Sequence, residues 1–243
     1  MLQIRMSMYF SKKNYINSLV SACRTKHLNY QTNLFTKLKF LLKNFFNYNI
    51  SASDKNKTTY FLPNNKLIPR EFIRLEPWEL EYLFSVAQFC KKGIVEIGRF
   101  NGGSTVLFGV SNTEVQIWSI DIAPQDDARL IKILKNFNIK NVNLITGDSQ
   151  KTTYDEIKTF DLLFIDGDHS YKGCFDDLNN WWSKLSVGGH LILHDCYLFS
   201  EVQDAVIDFL KNKNVEIVIS AYRGSEHWLN RYSGSLCHYI KKN

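Results

Sequence analysis

Apolar and polar positions settle into a repeating order from residue 77 onward: short apolar runs alternate with stretches of helical spacing. Glu76-Pro77 opens a predicted helix, with Pro77 suited to the first helical position. It carries Trp78, Leu80, Leu83, Phe84 and Phe89 and reaches Gly93, a candidate C-terminal cap. IVEIG (94–98), VQIWSID (115–121), NVNLIT (141–146), DLLFID (161–166), HLILHD (190–195), VEIVIS (215–220) and SLCHYI (235–240) read as strands. Helices are predicted at STVLFGV and over 125–138, 170–185 and 201–212, and Gly188-Gly189 is expected to turn the chain into the fifth strand. Alternation of this kind predicts an α/β fold, a mostly parallel seven-stranded sheet with helices on both faces. No helical pattern separates the last two strands, so the last is expected to pair antiparallel.

Residues 1–57 follow a different rule. LFTKLKFLLKNFFN (34–47) places Leu34, Leu38, Leu41, Leu42 and Phe45 on one helical stripe, with Lys37, Lys39 and Lys43 largely off it. Such a basic amphipathic helix packs on the main body or a second subunit, lies on a membrane surface, or covers a site. Residues 50–59 are polar and aperiodic and read as a linker, giving a helical extension (1–57) and a main domain (58–243).

Charge follows the same division. Residues 1–57 hold ten Lys or Arg against Asp54 alone, leaving 20 basic and 23 acidic residues beyond them. The net charge of +6 therefore belongs to the extension, and a nucleic-acid partner is not expected of the main domain. Five widely spaced cysteines without a C-x-x-C pair argue against a disulfide framework or structural zinc and point to a reducing, cytoplasmic compartment. No apolar run of about 18 residues suggests a membrane span.

The candidate chemistry sits at strand ends. Glu96-Ile97-Gly98-Arg99-Phe100-Asn101-Gly102-Gly103-Ser104 is a strand running into a Gly-rich turn and a helix start, where backbone N–H groups favour an anion. Its spacing is not the G-x-G-x-x-G of dinucleotide folds. The second strand ends in Asp121 and the third in Gly147-Asp148-Ser149. Open α/β sheets bind ligands along this edge, and an acid after the second strand suits ribose hydroxyls. Asp168 is placed to cap the helix over 170–185. His190 reads as a structural histidine, Phe100 as packing, and Asp176, Asp177, Trp181 and Trp182 as a solvated and a core face of one helix. Arg223 and His227 lie in a segment that is either a connecting turn or within reach of substrate.

From residue 76 onward these motifs resemble class I S-adenosylmethionine-dependent methyltransferases. The resemblance implies that Glu96, Gly98, Gly102, Gly103 and Ser104 hold the methionine part of S-adenosylmethionine, Asp121 the ribose, and Asp148 with Ser149 the adenine. Phe164-Ile165-Asp166-Gly167-Asp168-His169-Ser170-Tyr171 and Gly188-Gly189-His190-Leu191-Ile192-Leu193-His194-Asp195 are similar to macrocin-type sugar O-methyltransferases and cephalosporin-hydroxylase-like proteins. More distantly they are similar to catechol-type enzymes. That likeness implies a divalent ion, Mg²⁺ or a relative, on Asp166 and Asp195, with Asp166 also beside the cofactor and His169 as the base. His194 stands where the sugar enzymes carry an acid, so the third ligand is its imidazole or a water.

The implied activity is metal-assisted O-methylation of a sugar or glycosylated small molecule, by a protein that allows peripheral membrane contact through 34–47 and self-association. The rival readings are a hydroxylase-like or non-catalytic binder of the same ligands, and a methyltransferase acting on nucleic acid or protein.

Overall fold

The computed structural model describes residues 72–75, 77–151, 154–221 and 235–243. The extension at 1–57 with the helix expected at 34–47, the expected linker, Glu76, Arg223 and His227 all lie outside the described residues.

Helix α1 (Pro77–Ala87) leads into β1 (Ile94–Ile97), followed by α2 (Gly103–Ser111), β2 (Ile117–Asp121), α3 (Asp127–Asn136) and β3 (Val142–Thr146). The second half is β4 (Phe160–Ile165), α4 (Tyr171–Trp182), β5 (Leu185–Leu193), α5 (Ser200–Leu210), β6 (Val215–Ile219) and β7 (Cys237–Lys241). One seven-stranded sheet results, in the order β3-β2-β1-β4-β5-β7-β6. Six strands run parallel, and β7 inserts antiparallel between β5 and β6, as the lack of a helical pattern between the last two strands predicts. This is the Rossmann-like class I methyltransferase architecture.

The period-two alternation of strand side chains builds a core on each face. Ile94, Ile117, Leu162, Phe164 and Ile192 pack against α1, α2 and α3. Val95, Leu163, Ile165, Leu191 and Leu193 pack against α4 and α5. The central β1 is buried at every position, whereas the edge strands β3 and β6 are half-exposed. Among the described residues, no helix is long and apolar enough to cross a membrane.

Two boundaries differ from the sequence reading. Strand β5 begins at Leu185, not after the glycines: Phe160 faces Leu185 and Leu162 faces His190. The residues between form a bulge in which Gly188 takes φ +78°, so the glycine pair deforms a strand that is already running. Helix α4 correspondingly stops at Trp182. Its N-cap is Ser170, whose hydroxyl accepts from Gly173 N–H, and not Asp168, whose carboxylate instead accepts from Ser170 N–H at 2.9 Å.

Candidate active site

The strand order reverses between β1 and β4, and connections leave there to opposite faces of the sheet, which opens a crevice at the carboxyl edge. A cavity of about 750 Å³ lies there, within the size range of ligand pockets. Gly98, Asp121 and Asp148, from the ends of β1, β2 and β3, all line it, as do Asp166, His169 and Asp195 from beyond β4 and β5.

The Gly-rich turn is shaped by close approach. Gly98 sits at φ +81°, and a Cβ there would fall 2.1 Å from the Asp166 carbonyl oxygen. Gly102 takes φ +88° against the Leu130 side chain and starts α2 without a side-chain cap. Asp121 fastens the turn from the next strand. Its Oδ2 accepts from Arg99 and Phe100 N–H, both at 2.9 Å, and its Oδ1 from Ala123 N–H at 2.7 Å. A carboxylate has about four acceptor positions, so Asp121 keeps little beyond this for a ribose.

Glu96 was expected against the cofactor. The structure turns its carboxylate under the turn, fully buried, where Thr105 Oγ1 (2.6 Å) and Ser119 Oγ (2.5 Å) donate to Oε2 while Oε1 has no partner. Burial raises its pKa, and the hydroxyls of Ser104, Ser119 and Thr105 only partly offset that. Glu96, Gly102, Gly103 and Ser104 are not among the described residues lining the cavity; Gly98 and Phe100 are. Phe100, read as packing, stands at the rim with φ +50°.

On the adenine side of the expected layout, Asp148 pairs with Lys151 at 2.7 Å, which draws its pKa down. Ser149 Oγ donates to Asp177 Oδ1 at 2.7 Å. The Ser149 carbonyl accepts from the indole N–H of the fully buried Trp181. Asp177 corrects the sequence reading: it is not on a solvated face but buried, 1% exposed, in the cavity wall.

Desolvation pushes the Asp177 carboxyl up to about 7, with the Ser149 hydroxyl only partly countering it. Below about pH 4 folded and unfolded chains both keep this proton. Between about pH 4 and pH 7 the unfolded chain releases it first, so stability falls as pH rises. Three pKa units correspond to about 4 kcal/mol. Asp177→Asn should therefore match the wild type near pH 4 and exceed it in urea unfolding near pH 8. Equal stability at both pH values would show that burial of this carboxylate carries no such penalty.

Beyond β4 and β5, Asp166, His169 and Asp195 offer ligand atoms that all lie within 4.8 Å of one another. Asp195 is held in the left-handed region at φ +61°. Ser235 fixes it there, accepting from its N–H and donating to its Oδ1, both at 3.0 Å. His169 Nε2 is 3.1 Å from Asp195 Oδ2 and 4.0 Å from Asp166 Oδ1, and its ring stacks on Phe199 with centroids 4.2 Å apart.

His194, the implied third ligand, is not in that trio. Its Nδ1 lies 3.2 Å from an oxygen of each aspartate, and its Nε2 lies 3.2 Å from Glu79 Oε2. Burial alone would lower its pKa, but Asp166, Asp195 and Glu79 outweigh that and hold it well above the imidazole range. Asp166 and Asp195 are drawn down against their own burial by the two histidines beside them. Asp166 and Asp195 in turn push His169 up to about 9.

His169 Nε2 and His194 Nδ1 are buried without a hydrogen bond of good geometry. Two carboxylates facing such orphaned nitrogens suit a hard divalent ion, so the residues fit the group the resemblance implies.

Sequence reasoning also missed Glu79, 115 residues from His194 in the chain, and Arg99. The Arg99 side chain is fully buried and clamps the ends of β2 and β3.

Comparison with known proteins is consistent with this geometry. Residues 95–196 match a family profile described as a methyltransferase domain. Over 113 residues the chain is 33% identical to the uncharacterized protein R132 of Acanthamoeba polyphaga mimivirus, covering 42% of this chain and 50% of that protein. The match thus spans about half the length of that curated relative.

Among solved structures, a putative caffeoyl-CoA O-methyltransferase from Staphylococcus aureus superposes with a TM-score of 0.57 at 14% identity, over 84% of this chain and 98% of that one. The SAH-bound methyltransferase PaMTH1 of Podospora anserina gives 0.55 at 12% identity, over 85% and 96%. These likenesses establish the fold.

Proposed function

We propose that the protein transfers a methyl group from S-adenosylmethionine to a hydroxyl of a sugar or glycosylated small molecule, with a divalent ion assisting. The observation that carries this reading is one cavity lined both by the Gly98 turn with Asp121 and by the Asp166–His169–Asp195 trio. A cofactor site and an acid–base site adjoin, as direct transfer between two bound molecules requires.

When bound, S-adenosylmethionine supplies an electrophilic sulfonium methyl, and a divalent ion would acidify and orient the acceptor hydroxyl. Asp166 and Asp195 are the residues that would hold that ion. The chain's own part is positioning. Asp121 keeps the turn in shape, and Ser235 fixes Asp195. Phe199 and Asp195 orient His169, whose Nε2 takes the acceptor proton. His169 is raised to about 9 because the two aspartates favour its protonated form, so their pairing with a cation frees it to act as a base at neutral pH. His194 bridges the acids, with Nδ1 3.2 Å from an oxygen of each aspartate and Nε2 3.2 Å from Glu79, and so fixes where they stand.

Calorimetric titration with S-adenosylmethionine, in EDTA and then with Mg²⁺, tests the reading. Micromolar binding is expected in both, with a Mg²⁺ response that disappears in the Asp166→Asn, Asp195→Asn double variant. No binding in either condition overturns the cofactor assignment. A Mg²⁺ response that survives the double substitution overturns the ligand pair.

A further inference from the structure

The cavity wall is strongly acidic. Asp121, Asp148, Asp166, Asp168, Asp177 and Asp195 line it, and among the described lining residues the sole Lys or Arg is Arg74. Arg74 lies just before α1 and is exposed. Its guanidinium stacks over the Phe100 ring at 4.7 Å from the centroid. Phe100 belongs to the Gly-rich turn, takes φ +50°, lines the cavity and is exposed. Among the described residues no carboxylate pairs with Arg74. Asp121, on the same turn, is already occupied by three backbone N–H groups.

Stacking uses the face of a guanidinium and leaves its in-plane donors free. An arginine fixed this way presents a planar fork that matches a carboxylate. Proposed as above, the cofactor carries two cationic groups, a sulfonium and an ammonium, and one carboxylate. The acidic wall repels that carboxylate. Among the described residues lining the cavity, Arg74 is the one Lys or Arg that the carboxylate can meet beside the turn. The uncapped N-terminus of α2, which begins at the same turn, adds a field of the same sign.

We propose that Arg74, seated on Phe100, binds the carboxylate of the methionine moiety and selects the intact amino-acid end of the cofactor. This inference rests on the methyltransferase reading.

The test is calorimetry on the full chain and its R74Q and R74K variants with three ligands. These are S-adenosylhomocysteine, its decarboxylated analogue, which lacks only the carboxylate, and 5′-methylthioadenosine, which lacks the whole amino-acid end. R74Q should weaken S-adenosylhomocysteine about 10- to 100-fold, the range for a charge-assisted hydrogen bond, and R74K should weaken it less. Neither variant should change the affinity of the two truncated ligands, and the wild type should bind the decarboxylated analogue about as weakly as R74Q binds the intact one.

Equal weakening of all three ligands by R74Q would mean that Arg74 only props the Phe100 ring, and overturns the proposal. Undiminished S-adenosylhomocysteine binding by R74Q would also overturn it. Failure of the wild type to bind any of the three would bring down the methyltransferase reading itself, and this inference with it.

Discussion

Replacing His169 by alanine is expected to lower turnover about 10²–10⁴-fold while leaving S-adenosylmethionine affinity unchanged, the range for losing a general base. The geometry sets this expectation. His169 Nε2 stands 3.1 Å from Asp195 and faces the cavity, and its ring is fixed by the Phe199 stack. None of these contacts involves the Gly98 turn, so binding and chemistry should separate.

The pH profile makes the test sharper. Asp166 and Asp195 push His169 up to about 9, so a base at this position gives turnover that rises with pH through that value. Charge placed on the aspartates by Mg²⁺ should shift the rising limb to lower pH. The alanine variant should lose the limb altogether. A variant that keeps wild-type turnover, or loses turnover and keeps the limb, removes His169 from the proton transfer.

What the sequence reveals of this site depends on how far each interaction reaches along the chain. Strand ends are local: the end of an apolar run is visible, and Gly98, Asp121, Asp148, Asp166 and Asp195 mark five of them at one edge of the sheet. The antiparallel β7 is legible because the sequence shows no helical pattern between the last two strands. The start of β5 is not, because a glycine pair has the same local signature in a bulge as in a turn, and only pairing with β4 decides between them.

Partnerships are less visible still. Asp177 occupies a helical position where an acid normally meets solvent, and its burial depends on Ser149, 28 residues earlier in the chain. Asp166 and Asp195 raise the His194 imidazole from close by, and α1 adds Glu79 on its far side. Helical periodicity places α1 against the sheet but says nothing of which side chain it delivers there.

Arg99 belongs to this second class, and substituting it should produce the largest loss of stability. The turn motif assigns it no role, yet its side chain is fully buried. Nε and Nη2 donate to the two Asp127 oxygens at 2.9 and 2.7 Å, and Nη1 donates to the carbonyls of Ser119 (3.0 Å) and Ile145 (2.8 Å). One side chain thereby joins β2, β3 and the first turn of α3. Arg99→Met keeps the apolar stem but strips two carbonyls of a donor and leaves Asp127 without its partner.

Removing one member of a buried pair costs about 3–5 kcal/mol. Asp127 retains 29% exposure and can rehydrate, which places the expectation at the lower end of that range. Arg99→Lys should lose less, since an ammonium keeps the charge but not the planar fork. Urea unfolding of the two variants reads this order directly. A loss below about 1 kcal/mol for Arg99→Met would mean that water replaces the clamp at little cost. Because the Arg99 N–H also binds Asp121, a loosened clamp should weaken the cofactor as well. The same residue then ties the stability of the sheet edge to the shape of the turn that faces the ligand.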